Sequence, residues 1–384
     1  MKILITSQHS SIIGGIERFL FDTSLILKKA GHNIFGLFEH DGIADANKKL
    51  FDRIWLSGES KGRDSLFAEI GETSPDIVVV HKLTDISLLQ TLNRNFKTAA
   101  IVHDHEYYCI RKHKYFPIGR INCHLPFNLI SCSLCSGMLA RNSGKLSLIN
   151  PFRHLRLLNE IRNCAKFAIL SDYMRENLLQ NGFEKDRIFK VRPPIHLSSS
   201  TPSENRRTGP LRILYVGQLV RGKGVDLLLA AAKHLKSEFT MKIAGSGNDE
   251  KYLKSMVSEI GLEACVSFSG RVSDIGPLYE WANLTVMPCR WQEPFGLVGV
   301  ESMSRSRPVV AFDTGGISEW LKDGWNGLLA KPGDILQLAQ GIDELASAED
   351  KMRLMGANGM EMVRKKYSDV SFLESFTRMI EVES

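Results

Sequence analysis

Short runs of β-branched and aliphatic residues recur along the chain, each followed by a stretch long enough for a helix. In the first half they are Ile3–Thr6, Ile34–Phe38, Ile77–Val80, Ala99–Val102, Phe167–Leu170 and Ile188–Val191; in the second half, Ile213–Val216, Met241–Ala244, Val266–Phe268, Leu284–Met287 and Pro308–Phe312. Near-continuous apolar runs of this length, bounded by glycine, proline and polar residues, predict strands covered on both faces, as in parallel sheets. Their alternation with helix-length segments predicts an α/β chain. Between the two sets lies a stretch with almost no apolar content, residues 196–210, which reads as a linker. The predicted organisation is a domain over 1–195, the linker 196–210 and a second domain over 211–366, with 367–384 remaining after it.

Composition narrows the picture. A chain of 384 residues is long enough for two domains of ordinary size. With 43% hydrophobic and 24% charged residues it has the make-up of a soluble globular protein. No apolar run reaches the roughly 18 residues that span a bilayer, and the start, Met1 to Ser7, reads as a buried strand and not as a signal peptide. The expected location is the cytoplasm. Seven cysteines in a chain this long do not suggest a secreted disulfide scaffold. The net charge of +6 is unevenly spread: from Arg111 to Lys166 ten Lys/Arg accompany one acid, Glu160. This basic insert, 105–166, also carries Tyr115, Phe116, Phe127, Phe152 and several leucines. Anionic membrane headgroups suit such a segment, and a solvated basic face stands beside that reading. No nucleic-acid recognition module is visible.

The densest chemistry lies in Trp291-Gln292-Glu293-Pro294-Phe295-Gly296-Leu297-Val298-Gly299-Val300-Glu301. Pro294 and Gly296 predict a tight turn, and Leu297 to Ser306 a helix after it. Unpaired N–H groups at a helix start favour an anion. A carboxylate there repels phosphate, so Glu293 and Glu301 are expected to accept hydrogen bonds from hydroxyls. Phosphate and hydroxyls in one pocket describe a sugar nucleotide. Two glycines, Gly14 and Gly15, precede another predicted helix and allow close backbone approach; a tight turn without a ligand explains them equally well.

The run resembles the E-x7-E motif of family 4 of the retaining glycosyltransferases. The resemblance continues through Arg307-Pro308-Val309-Val310-Ala311 and Gly315-Gly316-Ile317-Ser318-Glu319 to Asp323-Gly324-Trp325-Asn326-Gly327-Leu328-Leu329. It implies the GT-B fold: two Rossmann-like domains facing across a cleft, the first binding acceptor and the second nucleotide sugar, with a C-terminal helix (here Tyr367 to Val382) crossing back to the first domain. Gly217-Gln218-Leu219-Val220-Arg221-Gly222-Lys223-Gly224 resembles the family's loop in which an arginine and a lysine neutralise the diphosphate leaving group. Lys223 matches the lysine. Gln218 stands where many members carry arginine, and Arg221 is a candidate substitute. By the same resemblance Gly14 and Gly15 approach the donor phosphates, and His103 lies near the donor sugar with Asp104 as its partner. Gly245 lies in a loop beside the nucleotide, and Arg271 follows the strand along the base.

The resemblance implies a glycosyltransferase of the hexosyl type that takes a sugar from a nucleotide-diphosphate donor, with UDP-sugar expected, and keeps the anomeric configuration. The catalytic set is His103, Lys223 and Glu293. Donor binding falls to Gly14, Gly15, Gly217, Gln218, Arg221, Gly245, Arg271, Pro294, Phe295, Gly296, Leu297 and Glu301. No cofactor or divalent metal is expected for catalysis. The acceptor is a glycan or a lipid-linked saccharide, met near Ile12, His103 and the basic insert, at the inner face of the membrane. A GT-B nucleotide-sugar epimerase or phosphorylase, and a non-catalytic nucleotide-sugar-binding subunit, are the rival readings.

Four cysteines, Cys109, Cys123, Cys132 and Cys135, fall close together in the insert. Four thiolates, or three with His105, His113 or His124 in place of one, can close a tetrahedral zinc site that orders a loop-rich segment. Reduced thiols and a redox pair are the other readings.

Overall fold

The computed structural model describes residues 1–12, 14–58, 62–116, 121–136, 139–142, 145–148, 150–196 and 209–382. Most of the expected linker, 197–208, lies outside the described residues. The chain divides into two compact units. One comprises Met1–Lys112, His124–Pro194 and Asp369–Ser384; the other comprises His113–Cys123 and Ile195–Ser368. The short stretch 113–123, read from sequence as part of the first domain's insert, counts with the second unit.

The first unit is built on a parallel sheet of β1 (Lys2–His9), β2 (Asn33–His40), β3 (Arg53–Leu56), β4 (Ile77–Lys82) and β5 (Thr98–Ile101). After these the insert contributes an antiparallel pair, β6 (Leu139–Asn142) and β7 (Lys145–Leu148). Strands β8 (Lys166–Ile169) and β9 (Ile188–Lys190) then complete the seven-stranded sheet in the order β3-β2-β1-β4-β5-β8-β9. Val78, Val80, Ala100, Phe167 and Ile169 are fully buried among Leu88, Leu89, Leu92 and Leu178 from the covering helices. Each such side chain contributes roughly 1.5–3 kcal/mol by leaving water. Helix starts follow local chemistry: Asp85 accepts from Ser87 N and Leu88 N at the start of Ile86–Asn95, and Ser171 accepts from Met174 N at the start of Asp172–Gln180.

The final helix, Asp369–Glu381, packs in the first unit. Phe372 meets Phe19 edge-on at 6.4 Å. The buried Lys166 ammonium donates to the carbonyls of Met379 at 2.7 Å and Ile380 at 3.2 Å, and also to that of Val382. A cation among the last carbonyls of a helix is electrostatically favourable.

The second unit holds β10 (Leu211–Val216), β11 (Phe239–Ala244), β12 (Val266–Gly270), β13 (Leu284–Met287), β14 (Val309–Phe312) and β15 (Gly327–Ala330). All are parallel, in the order β12-β11-β10-β13-β14-β15. Its core gathers Ile213, Leu228, Leu229, Ile243, Val286, Val310, Leu338 and Ile342, all essentially inaccessible. Four strands were not anticipated from sequence: β3, β15 and the antiparallel pair β6 and β7 of the insert. β3 opens on a charged residue and is short, and β15 lies inside a glycine-rich stretch whose pattern was absorbed into the motif. Each sheet reverses its order once, between β1 and β4 in the first unit and between β10 and β13 in the second. The crevice at such a reversal, at the carboxyl ends of the strands, is where open α/β sheets bind ligands.

Candidate active site

In the second unit the reversal lies between the loops that follow β10 and β13. The β10 loop carries Gly217, the exposed Gln218, and a 3₁₀ turn Arg221–Lys223. The β13 loop runs from Pro288 to Gly296 and leads into the helix Leu297–Met303. The two loops are laced together: Arg290 N and Trp291 N donate to Gly222 O at 2.9 and 3.2 Å. Arg290 also grips the Asp226 carboxylate with both guanidinium nitrogens.

This lacing brings Lys223 Nζ to 2.6 Å from Glu293 Oε2. Burial works against charge on both groups, yet each partner outweighs it. The Glu293 carboxyl is held below the usual carboxylate range by Lys223, and the Lys223 ammonium above its usual range by Glu293. Both are therefore charged at neutral pH. The Cys289 thiol lies 3.4 Å from the same carboxylate oxygen. The Glu293 carbonyl accepts from Gly316 N at 2.7 Å, which ties this loop to the one after β14. Trp320 Nε1 donates to Phe295 O at 2.6 Å and fixes the turn before the helix. Gly296 caps that helix in the left-handed region at φ 88°, and no side chain among the described residues caps it. Glu301, half-buried on this helix, accepts from Tyr279 OH at 2.9 Å.

The remaining donor-site candidates of this unit occupy the same carboxyl edge. Gly245 follows β11; a Cβ there would stand 1.8 Å from Gly217 O, so only glycine lets the two loops meet. The exposed Arg271 follows β12. Pro294, Phe295, Gly296 and Leu297 form the turn and helix start beside Glu293, with Phe295 buried. Arg221, the candidate substitute for the absent arginine, is held by Asp226 at 3.2 Å and Asp249 at 3.1 Å and stacks over Tyr252 at 4.2 Å.

Trp291 and Gln292 were given no role from sequence, and His113 was read only as an alternative zinc ligand. The Trp291 ring stacks with the His113 ring at 4.1 Å, and the Lys223 ammonium lies 5.1 Å from its centroid. Buried Gln292 donates through Nε2 to Lys114 O at 3.0 Å and Cys123 O at 2.8 Å. The stretch 113–123 is thereby strapped onto the loop that presents Glu293. Their signal was position alone, next to Glu293 in the motif.

In the first unit, Gly14 is extended and its N–H donates to Glu17 Oε2 at 2.8 Å. A carboxylate already faces the start of the helix Gly15–Lys29. At Gly15 a Cβ would meet nothing within 4 Å. His103 follows β5, and its ring partner is His81, at the end of β4. The rings stack at 5.2 Å, with His81 Nδ1 3.0 Å from His103 Nε2. Burial, with Lys82 nearby, lowers the His103 pKa to about 3, and burial, with His103, drives His81 well below its ordinary value. Both rings are neutral at pH 7, so one nitrogen donates and the other accepts. Asp104, expected to hold the His103 ring, instead accepts from the Glu106 backbone N–H at 2.8 Å. A polar residue closing an apolar strand was the one sequence sign of His81.

The zinc expectation is corrected. Among the described residues no three or more His, Cys, Asp or Glu side chains are gathered to hold a metal ion. Cys132 and Cys135 sit one turn apart on the helix Leu129–Ser136. Cys123 belongs to the second unit, its N–H on Lys114 O at 2.7 Å, while Cys109 belongs to the first.

Comparison with known proteins bears on the same unit. Residues 199–362 match the family model of the glycosyl transferases group 1. An uncharacterized glycosyltransferase of Methanocaldococcus jannaschii is 36% identical over 154 residues, 40% of this chain and 43% of that protein. The alpha-D-kanosaminyltransferase of Streptomyces kanamyceticus is 29% identical over 41% of this chain and 42% of its own length. The chain thus spans about two-fifths of the length of these curated relatives. Among solved structures, HepE of Anabaena in complex with UDP superposes with a TM-score of 0.75 at 19% identity, covering 99% of both chains. Sucrose-phosphate synthase of Thermosynechococcus elongatus gives 0.76 at 18% identity, covering 98% of both. The fold is that of the GT-B glycosyltransferases, and the stretch bearing the Lys223–Glu293 pair carries the sequence pattern of the group 1 glycosyl transferases.

Proposed function

We propose that this chain is a retaining glycosyltransferase of family 4 that moves a hexosyl unit from a nucleotide-diphosphate sugar to a glycan or lipid-linked acceptor in the cytoplasm. The observation that carries this reading is the Lys223–Glu293 pair at the strand-order reversal of a unit that matches the glycosyl transferase model. Lys223 is assigned to the diphosphate, whose charge grows as the sugar departs. A preorganised donor at such a site accounts for roughly 10²–10³ in rate. Glu301 is assigned to the ribose hydroxyls and Glu293 to the donor sugar. The turn Pro294–Leu297 supplies backbone N–H groups beside the phosphates, and Arg271 and Gly245 flank the nucleotide. UDP is the favoured nucleotide, because the structurally similar HepE is known with UDP and with UDP-glucose. Acceptor recognition is assigned to the carboxyl edge of the first sheet, where Ile12 and His103 lie.

A second reading, a nucleotide-sugar-binding subunit that transfers nothing, has one observation in its favour. Gln218 brings no charge, and Arg221 is committed to Asp226 and Asp249. A thermal-shift panel of UDP-, GDP-, ADP- and dTDP-sugars tests binding, since a ligand of the folded state raises its melting point. A rise with UDP-sugars alone is the expected result. Product analysis by NMR then reads transfer with retained anomeric configuration. Binding without turnover supports the second reading, turnover of donor without acceptor indicates an epimerase, and no binding by any of the four defeats the proposal.

A further inference from the structure

The helix Leu129–Ser136 reads Leu-Ile-Ser-Cys-Ser-Leu-Cys-Ser and carries no charge. Ile130 and Leu134, four residues apart and so on one face, are 73% and 79% exposed. The helix packs beside Pro151–Ile161, whose inner face buries Leu157, Leu158 and Ile161. On that second helix Phe152 is 64% exposed and is followed by the exposed Arg153, whose guanidinium donates to Thr84 O at 2.6 Å, and by the exposed Arg156. Leu125, just before the first helix, is also exposed. Isolated exposed apolar residues are ordinary; four large ones on neighbouring elements of one insert call for a partner.

The charge around them selects that partner. From Tyr107 to Asn159 the sequence holds eight Lys/Arg and no Asp or Glu. A second copy of the chain would set this positive face against itself. A nucleic acid would use the cations but leave Ile130 and Leu134 in water. Apolar side chains flanked by the exposed Arg153 and Arg156, in a stretch of sequence without acids, have the composition of an element that lies in the interface of an anionic bilayer.

We propose that the face formed by Leu125, Ile130, Leu134 and Phe152, with Arg153 and Arg156, docks on an anionic lipid bilayer. The inference deepens the functional reading, on which it rests only for the class of acceptor: a lipid-linked saccharide would be met at that surface. Among the described residues no helix is long and apolar enough to cross a membrane, so the contact is peripheral.

The test is sedimentation of the full chain with vesicles of phosphatidylcholine, with and without phosphatidylglycerol. Binding to the anionic vesicles that weakens as salt rises is expected. A cation near an anionic surface is worth about fivefold in partition, so Arg153→Glu with Arg156→Glu lowers binding at least about tenfold. Ile130→Ser with Leu134→Ser lowers it by a similar factor. Phe152→Trp reads insertion directly in otherwise unaltered protein, as a blue shift of fluorescence on adding anionic vesicles. No binding to anionic vesicles, no fluorescence shift, or undiminished binding of the two double variants overturns the proposal. So does self-association that is abolished by Ile130→Ser/Leu134→Ser without any vesicle binding. Transfer to a water-soluble acceptor, measured separately, reports on the functional reading and is unaffected by the outcome.

Discussion

Lys223→Met removes the ammonium 2.6 Å from Glu293 Oε2 and keeps most of the side-chain volume. Glu293 is 9% exposed, and the donors left beside it are the Cys289 thiol at 3.4 Å and the Trp291 side chain. Deleting one member of a buried ion pair costs about 3–5 kcal/mol, because the other charge stays in a poor medium. The Lys223 side chain is itself 22% exposed. Water reaching the site reduces the loss to about 2–3 kcal/mol. For a unit of this size that is a fall of about 4–12 °C in melting midpoint.

The pH dependence follows from the same pair. In the wild type Lys223 holds the Glu293 pKa low, so this carboxylate's contribution is complete above its unfolded pKa of about 4.3 and fades as pH falls through the folded value. In the variant, burial without a cation pushes the Glu293 pKa up, and protonation relieves the strain. The variant's deficit is therefore largest near neutrality and shrinks below about pH 5. Adding Glu293→Gln to Lys223→Met removes the stranded charge and is expected to regain about 1–2 kcal/mol. Guanidinium unfolding of the wild type and the two variants at neutral and acid pH measures all of this. An unchanged midpoint near neutrality, a deficit that does not shrink in acid, or a double variant as unstable as the single one refutes the reasoning. In steady-state assays kcat is expected to drop at least about tenfold; an unchanged kcat takes Lys223 away from the leaving group.

Other outcomes follow from single contacts. Glu301→Ala is expected to raise the donor KM by about 10–100-fold through lost charged hydrogen bonds to hydroxyls, with little effect on the acceptor KM; wild-type donor kinetics contradict that role. Gly222→Ala places a Cβ 2.0 Å from Trp291 Cε3, and overpacking of this kind costs about 1–3 kcal/mol. An unshifted denaturation midpoint would show that the Trp291 ring yields freely. Gln292→Ala removes two hydrogen bonds to the strap, while Lys114 O keeps the Cys123 N–H; the two lost bonds are worth about 1–3 kcal/mol together. Amide exchange in 113–116 and 121–123 is expected to accelerate while β10 and β13 stay protected, and unchanged exchange there means the strap is held by other contacts.

Periodicity alone carried the alternation of strand and helix, because a strand buried on both faces must be apolar along its length and leaves that mark in order. The turn at Pro294–Gly296 and the helix from Leu297 were legible for a similar reason: backbone restrictions of proline and glycine act within a few residues. The division into two units was legible in the two sets of strand runs and the apolar-poor stretch between them, whereas the return of the final helix came with the family resemblance. Beyond these, three-dimensional packing decided. Arg221 read in sequence as a candidate substitute for the arginine that Gln218 replaces, but Asp226, five residues on, and Asp249, 28 residues on, engage it in the folded unit. His103 found His81 and not its neighbour Asp104, because parallel pairing sets the ends of β4 and β5 side by side. The four cysteines looked like one cluster only while distance was counted in residues. Local conformational preference is written in short stretches of sequence, whereas the partner of a buried charge or ring is chosen by which strand ends the sheet brings together, and that choice is made only in the folded chain.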